Sequence, residues 1–549
     1  MSKLSDSENR MEEATSYQAW EAEARAHDSL SGADAWKAKE HSTLYDYSTL
    51  RMRLARLRSL RAAKDYRGLL FALNEGIHGN LGGMGKSSLY AKAKLGTKNL
   101  ITDYVNEVCE ALVQLAGLRS SVISKEEKAD FFHRASHCFG RSALMLSGAG
   151  ALGPFHMGVV KALMEQDLLP RVISGSSAGA FVAALVGTHS NEELGAFFNA
   201  DIILGGDIGE QVEKVGVNSI FNWPDRIQAQ DLRDMIDTWV PDVTFAEAFQ
   251  ITGRHINISV APQKRMQASR LLNAITSPNV LLREAIMASC AVPGVFPPVM
   301  LMARDIDGEK QPYLAEMRWI DGSVTDDMPA KRLGRLYGVN HFIASQTNPV
   351  VLWSLRDQNT TGGMLDNIWQ MGNRAAKEWF RTTQSISNRM TTALPKANSL
   401  LNMFHTVALQ EYTADINIIP RYRFWDPRKL LAPLDKEETL YLINEGEIAT
   451  WPRMGMIRNC SKISHTLDDI LEAMEGDVIG LARSRARKAM PKTKSKSAAD
   501  KSGSGSGFEA SSSARRAVSK TPKNTTTRKK PAQQKRPTVI VSDDQAEAV

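Results

Sequence analysis

The segment Gly175-Ser176-Ser177-Ala178-Gly179 constrains the fold of this chain more than any other. It follows a short apolar run at 172–173 and precedes a helix-like run at 180–185. Glycines on both sides leave room for a sharp turn between a strand and a helix, and such a turn lifts a serine hydroxyl above the sheet. The segment therefore predicts a strand, a tight turn and a helix, with Ser177 at the tip of the turn and Gly175 and Gly179 around it.

A second strand, loop and helix are predicted upstream. The apolar run 143–146 indicates a buried strand, and a helix starts near Pro154, since proline suits the first helical turn. The loop between them, 147–153, is rich in glycine, and its backbone N–H groups are available to bind negative charge. It matches the dinucleotide pattern G-x-G-x-x-G literally, but it also fits an oxyanion hole that serves the serine on the next strand.

The order of the elements favours the oxyanion hole. A dinucleotide site needs an acidic residue at the end of the second strand to bind a ribose hydroxyl. That strand ends instead in the serine turn, and the nearby acids, Glu165 and Asp167, fall at the end of the helix. A glycine turn without a ligand is the remaining alternative. We expect the oxyanion to be surrounded by the loop residues Gly148, Ala149, Gly150, Ala151 and Gly153.

A third segment, Trp319-Ile320-Asp321-Gly322-Ser323, places an aspartate at the end of a predicted apolar strand. A carboxylate in this place is able to accept the proton of a serine hydroxyl as a general base. Most Asp-Gly pairs only form turns, so the pair alone leaves both interpretations open.

Taken together, the glycine loop, the G-x-S-x-G turn and the Asp-Gly pair resemble the patatin-like acyl hydrolases, in the same chain order. A fourth segment, 288–297, is similar to the A-S-x-A-x-P-x-x-F-P segment of that family. The resemblance implies a three-layer α/β sandwich with a mainly parallel sheet. It also implies a catalytic dyad of Ser177 and Asp321, with Gly322 beside it, and neither a catalytic histidine, a metal nor another cofactor.

The resemblance narrows to one branch of the family. The segments 15–20, 44–47 and 80–82 resemble the helical domain that precedes the catalytic domain in plant and fungal storage-lipid triacylglycerol lipases and their bacterial relatives. Ser147 and Leu152 depart from the usual patatin loop, but that branch shares both departures. The similarity continues through 339–349, 412–416 and 445–451, so it spans roughly residues 14–475. It implies a triacylglycerol substrate, with phospholipid as the close alternative, and the dyad does not decide between these two lipids.

The implied chemistry is attack of Ser177 on an acyl ester while Asp321 accepts the proton. Water or another alcohol would then take the acyl group, so a hydrolase and a transacylase remain alternatives. An ordinary Ser–Asp–His triad completed by His341 or His405 is a second mechanism. A catalytically silent lipid-binding scaffold on the same fold is an alternative of a different class, although the intact dyad argues against it.

Positive charge is concentrated at the C-terminal end of the chain. The whole chain carries 68 Lys and Arg against 61 Asp and Glu, but 17 basic and only 5 acidic residues lie from Arg483 onward. The remaining 51 basic and 56 acidic residues give the body a net charge of −5. The tail, 484–549, is rich in Ser, Lys, Thr and Gly and is predicted to be disordered. It is a solvated tail or is attracted to anionic lipid; binding to nucleic acid is the least favoured interpretation.

The rest of the composition indicates a cytoplasmic protein. No run approaches the roughly 18 apolar residues of a membrane span, and the N-terminus has no signal-peptide pattern. The four cysteines are widely spaced and show neither a metal nor a disulfide pattern. We expect the protein to associate peripherally with a membrane or a lipid droplet.

The expected organisation has five parts. These are a flexible N-terminus (1–13), a helical lipase-associated domain (14–138), a catalytic domain (139–335), a C-terminal completion with a candidate lid (336–480) and the basic tail (484–549). An arginine-rich helix with Leu50, Leu54 and Leu57 on one face either lies on a membrane surface or packs against its neighbours. The segment 364–390 either gates a lipid pocket or completes the core.

Overall fold

The structure is a computed structural model that describes residues 3–119, 121–198, 228–264, 267–348, 414–421, 434 and 436–489. The candidate lid at 364–390, His405 and residues 490–549 of the basic tail lie outside the described residues.

The described residues are mostly helical before residue 140 and alternate between strands and helices after it. The α-helices are α1 (Lys3–Glu12), α2 (Tyr17–Ser31), α3 (Ala33–Ala38), α4 (Tyr47–Ala62), α5 (Tyr66–Gly76), α6 (Ser87–Tyr90), α7 (Asn99–Ala116), α8 (Lys125–Phe139), α9 (Gly153–Glu165), α10 (Ala178–Thr188), α11 (Asn191–Phe197), α12 (Ala229–Trp239), α13 (Phe245–Thr252), α14 (Leu282–Ser289), α15 (Ser323–Asp326), α16 (Ala330–Tyr337), α17 (Lys436–Thr450) and α18 (Met454–Ala489). None of these helices is both long and apolar enough to cross a bilayer.

A mainly parallel sheet forms the centre of the described residues after 140. The strands in this part of the chain are β1 (Arg141–Leu146), β2 (Val172–Gly175), β3 (His255–Pro262), β4 (Arg270–Asn273), β5 (Met302–Arg304), β6 (Lys310–Pro312), β7 (Trp319–Asp321), β8 (Val339–Ser345) and β9 (Ile416–Ile418). The strands of the main sheet run in the order β4-β3-β2-β1-β8-β9, and β7 also pairs with β3. The pairs among β3, β2, β1, β8 and β9 are parallel, whereas β4 and β7 run antiparallel to β3. A separate hairpin joins β5 and β6.

Successive residues of β1 enter different cores, as the alternation of a strand requires. Leu144 and Leu146 join the large core that holds much of α9 and α10. Ala143 and Met145 join a smaller core with Leu333 and other residues of α16. The sheet is therefore covered on both faces, which confirms the predicted three-layer α/β sandwich.

The helices before the sheet build a second core together with α18. Residues of α4, α5, α7 and α8 pack there against Ile463 and Leu467 of α18. The arginines of α4 form ion pairs with acidic residues of this region: Arg61 contacts Glu107 and Glu110 at 2.5 and 2.8 Å. Leu50, Leu54 and Leu57 are buried. The contacts support the packed interpretation of this helix.

Two of the expected boundaries differ from the structure. Residues 3–12, expected to be flexible, form α1, because Ser7 and Met11 bury one side of the helix against the protein. Met11 belongs to the same core as Tyr17 and Trp20 of α2. At the other end, α18 continues to Ala489, so the first six residues of the predicted disordered tail, 484–489, are helical.

Helices α9 and α17 cross at two glycines. A Cβ atom at Gly158 would overlap the carbonyl oxygen of Ile443, and one at Gly446 would overlap the carbonyl oxygen of Phe155. The backbones therefore touch where any side chain would separate them. Since α9 begins at the glycine loop, this crossing fixes the helix that carries the loop.

Candidate active site

Ser177 lies in a strained turn between β2 and α10. Its backbone has φ 52° and ψ −125°, a conformation that residues other than glycine rarely adopt. Gly175 and Gly179 allow this turn, because a Cβ at Gly175 would overlap the carbonyl oxygen of Gly179 and one at Gly179 would overlap that of Leu146. The chain thus forms the predicted strand, turn and helix at the predicted residues.

A hydrogen bond from the Ser177 backbone helps to hold this conformation. The Ser177 N–H donates to the hydroxyl oxygen of Ser289 at 3.0 Å. The Ser289 hydroxyl in turn donates to the carbonyl oxygen of Ser259 on β3 at 2.8 Å. Ser289 lies in the A-S-x-A-x-P segment noted in the sequence, although the motif alone did not indicate this contact.

Asp321 approaches Ser177 because β2 and β7 pair with neighbouring parts of the same edge of β3. Gly175, the last residue of β2, pairs with Ile258, and Asp321, the last residue of β7, pairs with Val260 on the same edge of β3. The strands β2 and β7 therefore meet nearly end to end, and the residues that follow them converge. The Ser177 side chain lies close enough to the Asp321 carboxyl group to act on its pKa.

Burial makes Asp321 a stronger base than an exposed aspartate. The residue is only 1% exposed. Burial raises the pKa of its carboxyl group to about 7, although Ser323 and Ser177 beside it act in the opposite direction. The Ser323 N–H donates to Asp321 Oδ1 at 2.8 Å. A carboxylate with a pKa near neutrality is well matched to accept a proton at that pH. Gly322 permits this arrangement, because a Cβ there would overlap the carbonyl oxygen of Ser259.

The glycine loop lies beside the serine turn. Its residues 150–152 form a short 3₁₀-helix that leads into α9, and Gly150 has φ 53°. Ala149 and Leu152 pack with Ala178, the residue after Ser177, and with the apolar side chain of Leu442. A Cβ added at Gly153 would lie 3.2 Å from the Cβ of Ala178, so this glycine allows the close approach.

The first N–H group of the loop is already used inside the protein. Gly148 donates to Oδ1 of Asp327 at 2.7 Å. The Gly153 N–H donates to the carbonyl oxygen of Gly150. Of the loop residues expected around the oxyanion, Ala149, Gly150 and Ala151 therefore remain as donors.

A buried histidine, His156, forms hydrogen bonds that hold the start of the same loop. His156 Nδ1 lies 2.7 Å from Ser345 Oγ, and Nε2 lies 3.0 Å from the Ser147 carbonyl oxygen and 3.2 Å from Thr347 Oγ1. Burial lowers the pKa of this imidazole to about 4, so it is neutral at pH 7. The sequence analysis did not identify His156, and both of its nitrogens have structural partners.

His341 does not join Ser177 and Asp321. It pairs in register with Ser142 near the start of β1 and lies 3.0 Å from its hydroxyl, whereas Ser177 follows the opposite end of β2. The alternative triad with His341 is therefore wrong. The serine turn lies at the carboxyl ends of the strands, and β8 reaches its carboxyl end only at Ser345, four residues after His341. In the part of the chain that the structure describes, no group of three His, Cys, Asp or Glu side chains is placed to hold a metal ion.

Comparisons with known proteins match the two parts of the chain separately. Residues 2–137 match the model of a domain of unknown function, DUF3336, and residues 144–333 match that of the patatin-like phospholipases. The crystal structure of VipD from Legionella pneumophila covers 64% of this chain and 88% of its own, at 13% identity. Its TM-score of 0.21 is too low to support a conclusion.

Several curated relatives cover most of the chain. It is 32% identical over 493 residues to triacylglycerol lipase 4 of Saccharomyces cerevisiae, covering 86% of this chain but only 53% of that protein. It is 33% identical to triacylglycerol lipase ptl2 of Schizosaccharomyces pombe, covering 81% of this chain and 72% of the relative. It is 32% identical to triacylglycerol lipase SDP1L of Arabidopsis thaliana, covering 88% and 60%. The chain therefore belongs to the patatin-like family and carries a DUF3336 domain in front of its patatin-like domain.

Proposed function

We propose that this protein is a serine lipid acyl hydrolase that cleaves carboxylic esters through Ser177 and Asp321. The observation that carries the proposal is the convergence, at the ends of β2 and β7, of a strained, buried serine and a buried carboxylate whose pKa is raised to about 7. A serine needs an adjacent base to act as a nucleophile, and here the neighbouring carboxylate would supply that base.

The reaction begins when Ser177 Oγ attacks the ester carbonyl carbon and Asp321 accepts the hydroxyl proton. The carbonyl oxygen becomes an oxyanion, which backbone N–H groups at Ala149, Gly150 and Ala151 stabilise. Loss of one such donor typically costs on the order of 10²–10³ in turnover. Asp321 returns the proton to the leaving alcohol, and the acyl group remains on Ser177. Water, deprotonated by Asp321, then attacks the acyl carbon; the bond to Ser177 Oγ breaks, Asp321 returns the proton to Ser177, and the fatty acid is released.

Triacylglycerol is the substrate that we favour. Curated relatives that match most of the chain are named triacylglycerol lipases, whereas the matching domain model is named for phospholipases. The protein would reach either lipid from the surface of a membrane or droplet. The basic tail would favour a surface that contains anionic lipid.

Fatty-acid release from emulsified triacylglycerol and from phospholipid vesicles tests this proposal. The wild-type chain should release fatty acid from triacylglycerol at the higher rate, and Ser177→Ala and Asp321→Asn should each lower that rate by at least about a thousandfold. His341→Ala is a control, since this half-buried side chain lies away from the dyad. Release that survives in Ser177→Ala would contradict the mechanism, and faster release from phospholipid would change the proposed substrate.

A further inference from the structure

Asp327 is a second buried carboxylate close to the dyad, and the reaction proposed above does not use it. It follows the short helix α15 and is 1% exposed. Its Oδ1 accepts the Gly148 N–H at 2.7 Å and also a hydrogen bond from the Ser176 hydroxyl. Its Oδ2 accepts the side-chain amide of Asn348 at 3.4 Å.

These donors come from three loops that are far apart in the sequence. Gly148 follows β1, Ser176 follows β2, and Asn348 follows β8. All three strands are parallel neighbours, so their carboxyl ends meet at one edge of the sheet. Hydrogen bonds to a carboxylate are shorter and roughly twice as strong as those between neutral groups. One side chain therefore connects the glycine loop, the serine turn and the loop after β8.

The contact with Gly148 sets the direction of the loop. Because the Gly148 N–H points to Asp327, the peptide group between Ser147 and Gly148 has a fixed orientation. This orientation sets the path of the chain that carries the N–H groups of the following residues. Gly148 has little room to move, because a Cβ there would lie 3.0 Å from the Ser323 Cβ. The contact with Ser176 holds the residue directly before the nucleophile.

We infer that Asp327 is a positioning residue of the site, which sets the glycine loop against the serine turn and places a negative charge near the catalytic base. This inference rests on the proposed function of Ser177 and Asp321. It assigns Asp327 no contact with the substrate.

The charge has an effect that a purely structural anchor would not have. A like charge nearby disfavours ionisation, and Asp327 acts on the Asp321 carboxyl group in this direction. The other titratable group that faces Asp321 among the described residues is the Cys290 thiol, whose pKa burial raises, so it is neutral at pH 7. Removing the charge at 327 should therefore lower the pKa of Asp321 and make it a weaker base.

The neighbouring Asp326 provides a matched control. It is also an aspartate in a partly buried position, and burial raises the pKa of its carboxyl group. Its partner is Arg332 at 3.2 Å, not the glycine loop or the serine turn. Asp326→Asn thus removes a carboxylate one residue away without changing the contacts of Gly148 and Ser176.

The test measures, against pH, the rate at which a fluorophosphonate probe labels Ser177 in the full chain, together with kcat and KM for a short p-nitrophenyl ester. Asp327→Asn keeps an acceptor but removes the charge, so labelling should slow about tenfold and the acidic limb of the pH–rate profile should move to lower pH. Asp327→Ala removes the acceptor as well and should lower kcat about a hundredfold with little change in KM. Ser176→Ala removes one donor but keeps the charge, so it should slow labelling without moving the limb.

The outcomes separate this inference from the proposed function. If the probe labels wild type and Ser177→Ala equally, the nucleophile is wrong and the inference falls with it. If Ser177 is labelled but Asp327→Asn keeps the rate and acid limb of wild type and of Asp326→Asn, only the inference is overturned. Thermal unfolding of each variant identifies any that fails to fold; in that case the remaining variant of Asp327 or Ser176 decides the result.

Discussion

The carboxyl group of Asp321 titrates near neutrality, whereas an exposed aspartate has a pKa of about 4. Its pKa is about 7, because burial in an apolar environment disfavours the charged form. In the reaction proposed above, only the ionised form accepts a proton from Ser177. The activity of the enzyme should consequently follow the ionisation of this single buried group.

We expect kcat/KM to rise about tenfold per pH unit below pH 7 and to level off above it. The measurement is hydrolysis of a short, soluble p-nitrophenyl ester from about pH 5 to about pH 9, a range in which the ester itself does not titrate. Activity that stays constant down to about pH 5 would show that Asp321 is ionised throughout and that burial does not control the base.

The same burial makes Asp321 costly for stability. Its folded-state pKa of about 7 lies above the ordinary 3.8, so the unfolded chain ionises first as the pH rises. The stability associated with the protonated form is complete below about pH 4 and is lost progressively until about pH 7. Asp321→Asn avoids this loss. Its free energy of unfolding should exceed that of wild type by about 4 kcal/mol at pH 8, and the difference should shrink below pH 7.

Urea unfolding of wild type and Asp321→Asn at several pH values checks this expectation. Asp326→Asn serves as the control for removing a nearby carboxylate. A difference between Asp321→Asn and wild type that does not depend on pH would contradict the raised pKa.

Sequence motifs predicted Ser177 and Asp321 because both belong to short local patterns. Asp327 and Ser289 were missed because their functions depend on contacts across the fold. Gly148 and Asp327 are 179 residues apart in the sequence, and Ser177 and Ser289 are 112 apart. No local spacing records such a contact, so only the arrangement of the strands reveals it.

Among the secondary-structure elements, the crossing of α9 and α17 is the most sensitive to substitution. We expect Gly158→Ala to lower the free energy of unfolding by about 1–3 kcal/mol, because the new methyl group would overlap the Ile443 carbonyl. Activity should fall as well, since α9 starts at the glycine loop. Thermal unfolding and ester hydrolysis measure the two effects.

Gly195→Ala is the matched control for this substitution. Gly195 lies in α11, and none of the described residues has an atom within 4 Å of a Cβ added there. The same change should stabilise the protein by up to about 1 kcal/mol, since alanine favours a helix. Equal effects at Gly158 and Gly195 would contradict the close crossing.

The sequence predicted buried strands better than it predicted the first helix. Strand β2 spans 172–175 as expected, because a run of apolar residues ends at a glycine turn. Helix α1 was expected to be flexible, because its ten residues are mostly polar. It forms where Met11 enters a core supplied by other elements, and the local sequence does not contain that information.

The catalytic sheet is completed by residues beyond the segment that matches the patatin-like model. That segment ends at residue 333, whereas β1 lies between β2 and β8, and β8 spans 339–345. A chain ending at 335 would leave the buried strand β1 at an edge of the sheet. We expect this chain to be insoluble or aggregated, since an exposed apolar edge strand favours aggregation.

A chain ending at 489 is the control, because it keeps every element described above. It should elute as a folded species in size-exclusion chromatography and keep its esterase activity. A soluble, active chain ending at 335 would show that β8 is dispensable.

The position of β1 also has a consequence for how the protein is made. The ribosome produces β1 and the serine turn early. The second neighbour of β1, strand β8, follows only from residue 339, and helix α17, which packs against α9, only from residue 436. During this interval the nascent chain carries an apolar strand with one unpaired edge. Such an intermediate is prone to misassembly. We therefore expect the interval before β8 and α17 are made to be the stage of synthesis at which this chain is most prone to misassembly.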